Sequence, residues 1–470
     1  MKMLFSSIIV VLMLSACAPS IVSTPIPSVV IPVISSPTAT YVLPTETPLP
    51  QVPQIKVKDS QGNVISVPDL KDPSYASLLN SSSSQFINAM QEAGITIDQS
   101  LLLSQLENPQ NFKVINVDEK KYIFSTFTTT DQKMFPVLVA EQKENGEWTW
   151  QDRSINADLF QANGVLFGFT YRMKDNPYRK SVRAPDDLVA ASSHIVTPED
   201  NFYQPFIFNP TPPKWEVIQE YLDFINKYDL VSGATHLYYA GNEATSQDKQ
   251  ELISRTQQII ARCKGTINFW DINELFNENG SLRDPNALEN AKAVIKTIRD
   301  NDANATIIIN DWGMDWQPLK DKALYEFVKQ LLADGLIKQG DIIGYQGHNG
   351  VGDNSTPEQF ADWFDKYAKL GLNLRITEAD IADVKSISQS NETKKAELIL
   401  MYYRAGKILE GKYHRKILDA IIMWGSTNNS SWYIDEGISG EYPLLLDNEG
   451  NPYLSWYLIA QQLFQDAEAK

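Results

Sequence analysis

Eight short apolar runs alternate with amphipathic helical segments through residues 151–470, and this alternation constrains the fold more than any other feature. The runs are Val165–Tyr171, Ser192–Thr197, Leu230–Leu237, Thr266–Asn273, Thr306–Asn310, Ile342–Gln346, Leu372–Thr377 and Ile417–Trp424. Each has the length and apolar character of a buried strand. Among the intervening segments, Lys214–Lys227 places Trp215, Ile218, Leu222 and Ile225 on one helical face. Glu289–Arg299, Lys322–Leu332, Pro357–Tyr367 and Lys394–Leu409 also read as helices. Strand–helix repeats build a parallel sheet. Eight of them predict an α/β chain closed into a (β/α)8 TIM barrel, typically about 250 residues plus insertions. An open doubly wound sheet would more often carry a glycine-rich phosphate loop, and the sequence has none, which disfavours nucleotide chemistry.

The N-terminal part reads differently. Lys2 precedes an apolar run from Met3 to Leu14, followed by Ser15-Ala16-Cys17. The run is too short to span a bilayer and has the size of a signal-peptide core. The cysteine after Leu-Ser-Ala resembles a bacterial lipoprotein signal, so cleavage before a lipidated Cys17 is expected. The expected organisation is a signal peptide over 1–16, a lipidated cysteine and Pro/Ser/Thr-rich spacer over 17–56, a small α+β domain over 57–150 and the barrel over 151–470. The protein is expected to be exported and anchored to a membrane or cell surface by lipid alone, and to be a monomer. In the small domain, Ser84–Ala93 and Ser100–Leu106 have helical spacing. Phe112–Val117, Lys121–Thr126 and Phe135–Gln142 read as strands, and Asn145-Gly146 turns the chain into Trp148-Thr149-Trp150. The two tryptophans are expected to fill a core rather than to stack on sugars.

Bulk properties exclude several functions. The formal net charge is −17 with no long basic tract, which is hostile to nucleic-acid phosphates. Cys263 is the one cysteine besides Cys17, so no internal disulfide is expected, and it reads as a buried residue of an apolar helix. No His/Cys/acidic cluster has metal-ligand spacing, so neither metal nor cofactor is expected.

Two carboxylates stand out. Glu274 closes Thr266–Glu274 and Glu378 closes Leu372–Glu378, the fourth and seventh strands. The C-terminal strand ends form the working face of a barrel. Two carboxylates converging there can cleave a glycosidic bond without metal or cofactor.

Several segments resemble glycoside hydrolase family 10, the endo-β-1,4-xylanase family. They are Trp270-Asp271-Ile272-Asn273-Glu274-Leu275-Phe276, Ile309-Asn310-Asp311-Trp312, Ile343-Gly344-Tyr345-Gln346-Gly347-His348 and Ile376-Thr377-Glu378-Ala379-Asp380-Ile381. Trp424-Gly425-Ser426-Thr427, Ser431-Trp432 and Pro443–Asp447 with Asn451-Pro452 continue the order across roughly residues 155–465. The resemblance implies a retaining hydrolase of β-1,4-xylan or a related plant polysaccharide, with Glu274 as acid/base and Glu378 as nucleophile. It implies that Asn273 binds the sugar 2-hydroxyl, that Gln346 and His348 bracket the nucleophile, and that Trp424 and Trp432 wall the cleft. Asp380, Asp271 and Asp311 are expected to orient or support these groups.

The same resemblance has departures. The second histidine usual at the third strand is replaced by Tyr239, with His236 offset from it. The usual lysine after strand two is Tyr203, and the arginine after the loop tryptophan is Tyr433. Tyr203, Tyr239 and Tyr433 are expected to supply replacement stacking and hydroxyl contacts on the glycone side, retuning the sugar preference. The alternative is a catalytically weak or inactive carbohydrate-binding surface protein on the same barrel.

Overall fold

Side chains alternate across a strand, so a run apolar on both faces is stable only where both faces are covered. In the computed structural model the eight runs meet that condition by closing on one another. The structure describes residues 52–469 except 60, 118–119, 144, 175–178, 200–201, 203, 209–211, 234–235 and 241–248. The leader, Cys17, the spacer to residue 51 and Tyr203 therefore lie outside the described residues.

Six strands precede the barrel: β1 (Gln54–Lys58), β2 (Val64–Pro68), β3 (Phe112–Val117), β4 (Lys120–Thr128), β5 (Met134–Gln142) and β6 (Trp148–Gln151). The barrel strands are β7 (Leu166–Tyr171), β8 (Ile195–Pro198), β9 (Val231–Ser232), β10 (His236–Tyr239), β11 (Phe269–Asn273), β12 (Thr306–Asp311) and β13 (Ile342–Tyr345), then β15 (Asn373–Ala382) and β16 (Leu418–Met423). A short strand β14 (His348–Gly350) pairs with the far end of β15. All barrel pairings are parallel, and β16 returns to β7. β9 and β10 occupy one stretch, 231–239, and together are the third of eight positions in a (β/α)8 barrel. Close approach is built in at Gly168, where an added Cβ would lie 1.7 Å from the Ile195 carbonyl oxygen on β8.

Helices α1 (Ala76–Glu92), α2 (Gln99–Leu106) and α3 (Ile155–Ala162) precede the barrel strands. Between and after those strands run α4 (Asp186–Ala191), α5 (Gln204–Phe208), α6 (Glu216–Tyr228), α7 (Lys249–Cys263), α8 (Ala287–Asn301), α9 (Pro318–Ala333), α10 (Pro357–Lys369), α11 (Gln389–Tyr413), α12 (Trp432–Asp435) and α13 (Leu454–Glu468). Helix ends follow local chemistry. Thr356 and Gln359 form a capping box at α10 with Pro357 in its first turn. Pro318 opens α9 and Ser388 caps α11, so both helices begin before the amphipathic signal does. α6 and α11 stop where Asp229 and His414 turn left-handed.

The inward positions of the strands change character along the barrel axis. Near the strand starts they are apolar: Leu166, Ile195, Ala420 and Ile422 form one interior cluster, and Phe269, Ile308 and Ile342 another. Fully buried Arg375 lies over the Phe269 ring at 4.1 Å and pairs with Asp419. Toward the C-terminal ends of β11, β12, β13 and β15 the same inward face becomes polar, with Asp271 and Asn273, Asn310, Gln346 and Thr377. The barrel thus has a dry floor and a hydrogen-bonded top.

Residues before the barrel form a β1–β2 hairpin, the helices α1 and α2, and an antiparallel sheet in the order β3–β4–β5–β6. Trp148 and Trp150 are buried, and the Trp150 indole donates to the Pro68 carbonyl at 2.9 Å. This layer packs on α3 and α13: Phe86 meets Tyr457 edge-on at 4.9 Å and Phe124 meets Phe464 at 5.5 Å. Its core residues belong to the same cluster as those of the helical ring, and Val52–Lys470 is one compact unit. Cys263 is fully buried on α7, and burial pushes its thiol up to about 12, so it is inert near neutral pH.

Candidate active site

Strict alternation would aim Asn273 and Glu274 to opposite sides, and likewise Thr377 and Glu378. Two local irregularities defeat it. Glu274 takes a left-handed backbone, φ +51°, directly after β11 ends. This conformation is unfavourable for a residue with a Cβ and is retained where surrounding contacts hold it. Gln346 supplies one such contact, since its Nε2 donates to Asn273 Oδ1 at 3.2 Å and to Glu274 Oε1 at 3.0 Å. On β15 the register against β16 slips between Ile376 and Ala379, inserting one extra residue. That bulge lets consecutive side chains face the same way. Thr377 Oγ1 donates to Asn310 Oδ1 at 2.8 Å, while Asn310 Nδ2 donates to Glu378 Oε1 at 3.0 Å.

The two carboxylates therefore converge on common neighbours. Glu274 receives Gln346's side chain and its own amide donates to the Asn310 carbonyl at 3.0 Å. Glu378 receives Asn310's side chain and its amide donates to the Gln346 carbonyl at 2.8 Å. Asn310 reaches Glu378 because the next strand presents Gly344; a Cβ there would lie 2.6 Å from Asn310 Oδ1. Glu378 is 5% exposed and Glu274 is half-buried.

Around Glu274, Tyr239 donates its hydroxyl to Oε2 at 3.1 Å and Arg283 places Nη1 2.6 Å from the same oxygen. Arg283 also donates to the Tyr239 hydroxyl at 3.2 Å. Around Glu378, His348 Nε2 stands 3.5 Å from Oε2 and His236 Nε2 4.0 Å from Oε1. Gln346 already donates to Asn273 Oδ1, so Asn273 turns Nδ2 to His236 Nδ1 at 2.9 Å. The same Nδ1 lies 3.3 Å from Asp271 Oδ2, so the ring is held between the Asn273 amide and a buried carboxyl. Asp271 is fully buried beside His236 and Asn310. Burial first, then the charge of Glu378, holds its carboxyl well above the usual range. Asp311 is pinned by buried Lys320 at 2.6 Å; burial raises it to about 6 against the pull of that ammonium.

His348 sits between carboxylates. Its Nδ1 is 3.0 Å from Asp380 Oδ1. Burial works against its charged form, but the charges and hydrogen bonds of Asp380 and Glu378 outweigh it and raise the ring to about 10. The folded value exceeds the ordinary 6.5, so the stabilisation is fully present below about pH 6.5 and is lost as pH rises through about 10. His348→Asn is accordingly expected to lower the melting temperature most near pH 6, the gap closing toward pH 10. Paired melts across that range check it, and a gap independent of pH counts against the charged ring.

Trp432 is fixed over this pair: its indole donates to Asp380 Oδ2 at 2.7 Å and its ring lies 5.7 Å from His348. Tyr433 is buried behind it, ring to ring at 4.5 Å, and backs the tryptophan rather than lining open space. Trp424 meets His236 edge-on at 5.6 Å. The structure thus gathers Glu274, Glu378, Asn273, Gln346, His348, Tyr239, Trp424, Trp432, Asp271 and Asp380 into one cluster, with Asp311 beneath it. His236, set aside as offset in the sequence, joins this cluster between Asn273 and Glu378. Asn310 was visible as a strand-end residue, but its double hydrogen bond was not. Arg283 lies in the loop after β11 and carried no signal. Trp316, on the loop after β12, is 62% exposed and stands 6.1 Å from Trp312.

Comparisons with known proteins match the region that forms the barrel. Residues 234–462 match the family described as Glycosyl hydrolase family 10. Endo-1,4-beta-xylanase C of Paenibacillus barcinonensis is 26% identical over 224 residues, 43% of this chain and 20% of the relative. A beta-1,4-xylanase of Dictyoglomus thermophilum is 26% identical over 317 residues, 58% of this chain and 87% of the relative. The chain thus spans a fifth of the length of the first and most of the second. The crystal structure of xylanase 10B from Thermotoga petrophila RKU-1 in complex with xylobiose superposes with a TM-score of 0.57 at 22% identity, covering 67% of this chain and 99% of that one. That likeness establishes the shared barrel.

Proposed function

We propose that the barrel acts as a family 10 glycosyl hydrolase, a retaining enzyme that cleaves β-1,4-xylan or a related plant polysaccharide by double displacement. The observation that carries this reading is the convergence of Glu274 and Glu378 on the same two residues: Gln346 holds Glu274 by its side chain and Glu378 by its carbonyl, and Asn310 holds Glu378 by its side chain and Glu274 by its carbonyl. In the first step a Glu378 oxygen bonds to the anomeric carbon as the glycosidic C–O bond breaks. Glu274 gives its proton to the departing oxygen. In the second step Glu274 takes a proton from water, whose oxygen displaces Glu378 and restores the anomeric configuration. Asn273, held from both sides by His236 and Gln346, is positioned to bind the hydroxyl beside the anomeric carbon. His348 offers Glu378 a donor, and Asn310 offers another. Trp424, Trp432 and exposed Trp316 offer apolar faces to sugar rings, while Tyr239 faces the acid side. Asp271, Asp311 and Asp380 act through the groups they hold. Nothing in this chemistry requires a metal or cofactor.

A second reading, a catalytically weak carbohydrate-binding protein, is favoured by one contact. Arg283 occupies Glu274 Oε2 at 2.6 Å, and proton delivery from that oxygen requires the guanidinium to withdraw. Incubation with a panel of plant polysaccharides, with NMR of the first-formed product anomer, separates the two. The β-anomer from xylan is expected; binding without cleavage by folded protein supports the second reading.

Export and lipidation at Cys17 belong to the same proposal, resting on the Leu14-Ser15-Ala16-Cys17 segment. Among the described residues no helix is long and apolar enough to cross a membrane. Cys17→Ala is expected to abolish incorporation of labelled fatty acid and leave the leader uncleaved. Labelling that persists in this variant excludes the anchor.

A further inference from the structure

Three side chains distant in sequence meet at the end of the barrel opposite the two glutamates. Glu141 is on β5, Asp158 on α3, and His194 directly precedes β8. One ligand-capable atom of each lies within 4.8 Å of the others. The metal-ligand spacing sought in the sequence was absent because the three come from three different elements, brought together only by packing.

We propose that Glu141, Asp158 and His194 form a binding site for a first-row divalent cation, best suited to zinc, which ties the N-terminal sheet to the floor of the barrel. The donor set is one imidazole and two carboxylates, as zinc accepts, with a fourth position left for water. The separation also fits. His194 Nε2 stands 3.1 Å from Asp158 Oδ1. Two ligands about 2.0–2.1 Å from a tetrahedral zinc ion lie about 3.3 Å apart. A second observation points to a ligand. Asp158 is fully buried, and apart from the His194 ring beside Oδ1 neither of its carboxylate oxygens has a well-aligned hydrogen-bond donor among the described residues. A buried carboxylate in that state is costly unless a cation or proton relieves it, and here another carboxylate stands beside it. The frame is rigid: the His194 amide donates to the Phe167 carbonyl at 2.9 Å and its carbonyl accepts from Val231 at 3.0 Å, joining three barrel strands. Access is from the partly exposed sides of Glu141 and His194.

The test is zinc alone, titrated calorimetrically into protein stripped with a chelator and then dialysed, with thermal melts in parallel. Carboxylates and histidines at the mouth of the barrel also attract zinc, so the variants Glu141→Gln and His194→Ala decide the location. Wild type is expected to bind one equivalent that both variants lose. At a hundredfold excess over Kd its melting temperature should rise by about 3–5 °C, a rise absent from the variants. Glu141→Gln is isosteric at a half-buried position, so its melt without metal reports whether the fold survives. No zinc-dependent rise in wild type, or an equivalent retained in both variants, overturns the site.

Discussion

Glu378→Gln is expected to reduce turnover of xylan by about 10⁴-fold or more while leaving the fold intact. The amide has the shape of the carboxylate but cannot form the glycosyl–enzyme ester. Asn310 Nδ2 can still donate to its carbonyl oxygen, replacing the 3.0 Å bond to Glu378 Oε1. The other position becomes an NH2 facing His348, which now stands 3.5 Å from Oε2, so one local contact turns unfavourable. The expected signature is therefore a collapse of kcat with a small change in melting temperature, measured on xylan and an aryl xyloside. A rate near that of wild type removes Glu378 from the nucleophile role. A large loss of stability would show that the residue serves the fold instead.

Glu274→Ala is expected to behave differently with different leaving groups. On xylan, whose departing hydroxyl needs a proton, the rate should fall by about 10²–10⁴-fold. On an aryl glycoside with an acidic phenol the bond-breaking step needs little protonation, and the loss there should be much smaller. The second step still lacks its base, so the glycosyl–enzyme should accumulate and give a burst of phenol. Azide should then speed turnover. It is a small anionic nucleophile that fits the space of the lost side chain, beside an Arg283 whose 2.6 Å partner has gone. The glycosyl azide formed should keep the configuration of the substrate. Equal losses on both substrates, with no burst and no azide product, would dispose of Glu274 as acid and base.

The barrel was legible because its strands are apolar on both faces and its helices on one. Ile307, Ile308 and Ile309 cannot all be buried in a sheet with an open side, and the seven other runs impose the same condition. Helix starts were less legible, because Pro318 and Ser388 open α9 and α11 with capping chemistry rather than hydrophobic periodicity. At the site, Glu274 and Glu378 were visible as strand-end carboxylates. What brings them together was not. Alternation alone turns each away from the cleft when Asn273 and Thr377 face it, and the corrections are a left-handed residue and a one-residue bulge. Neither has a composition signal. Arg283 was invisible for the ordinary reason that a loop arginine is usually a solvated charge, and His236 because a position counted along the chain carried no information on how the third strand meets the fourth. Glu141, Asp158 and His194 lie on three separate elements, a distance that no local pattern spans.

The last helix, α13, lies between the N-terminal sheet and the barrel, with Tyr457 against Phe86 and Phe464 against Phe124. One consequence concerns recombination. A barrel cut out at its first strand and transplanted would carry a greasy stripe on its final helix, and the discarded sheet would lose the surface it folds on. In this chain the two parts are therefore expected to fold as one body, and separating them would expose an apolar face on each.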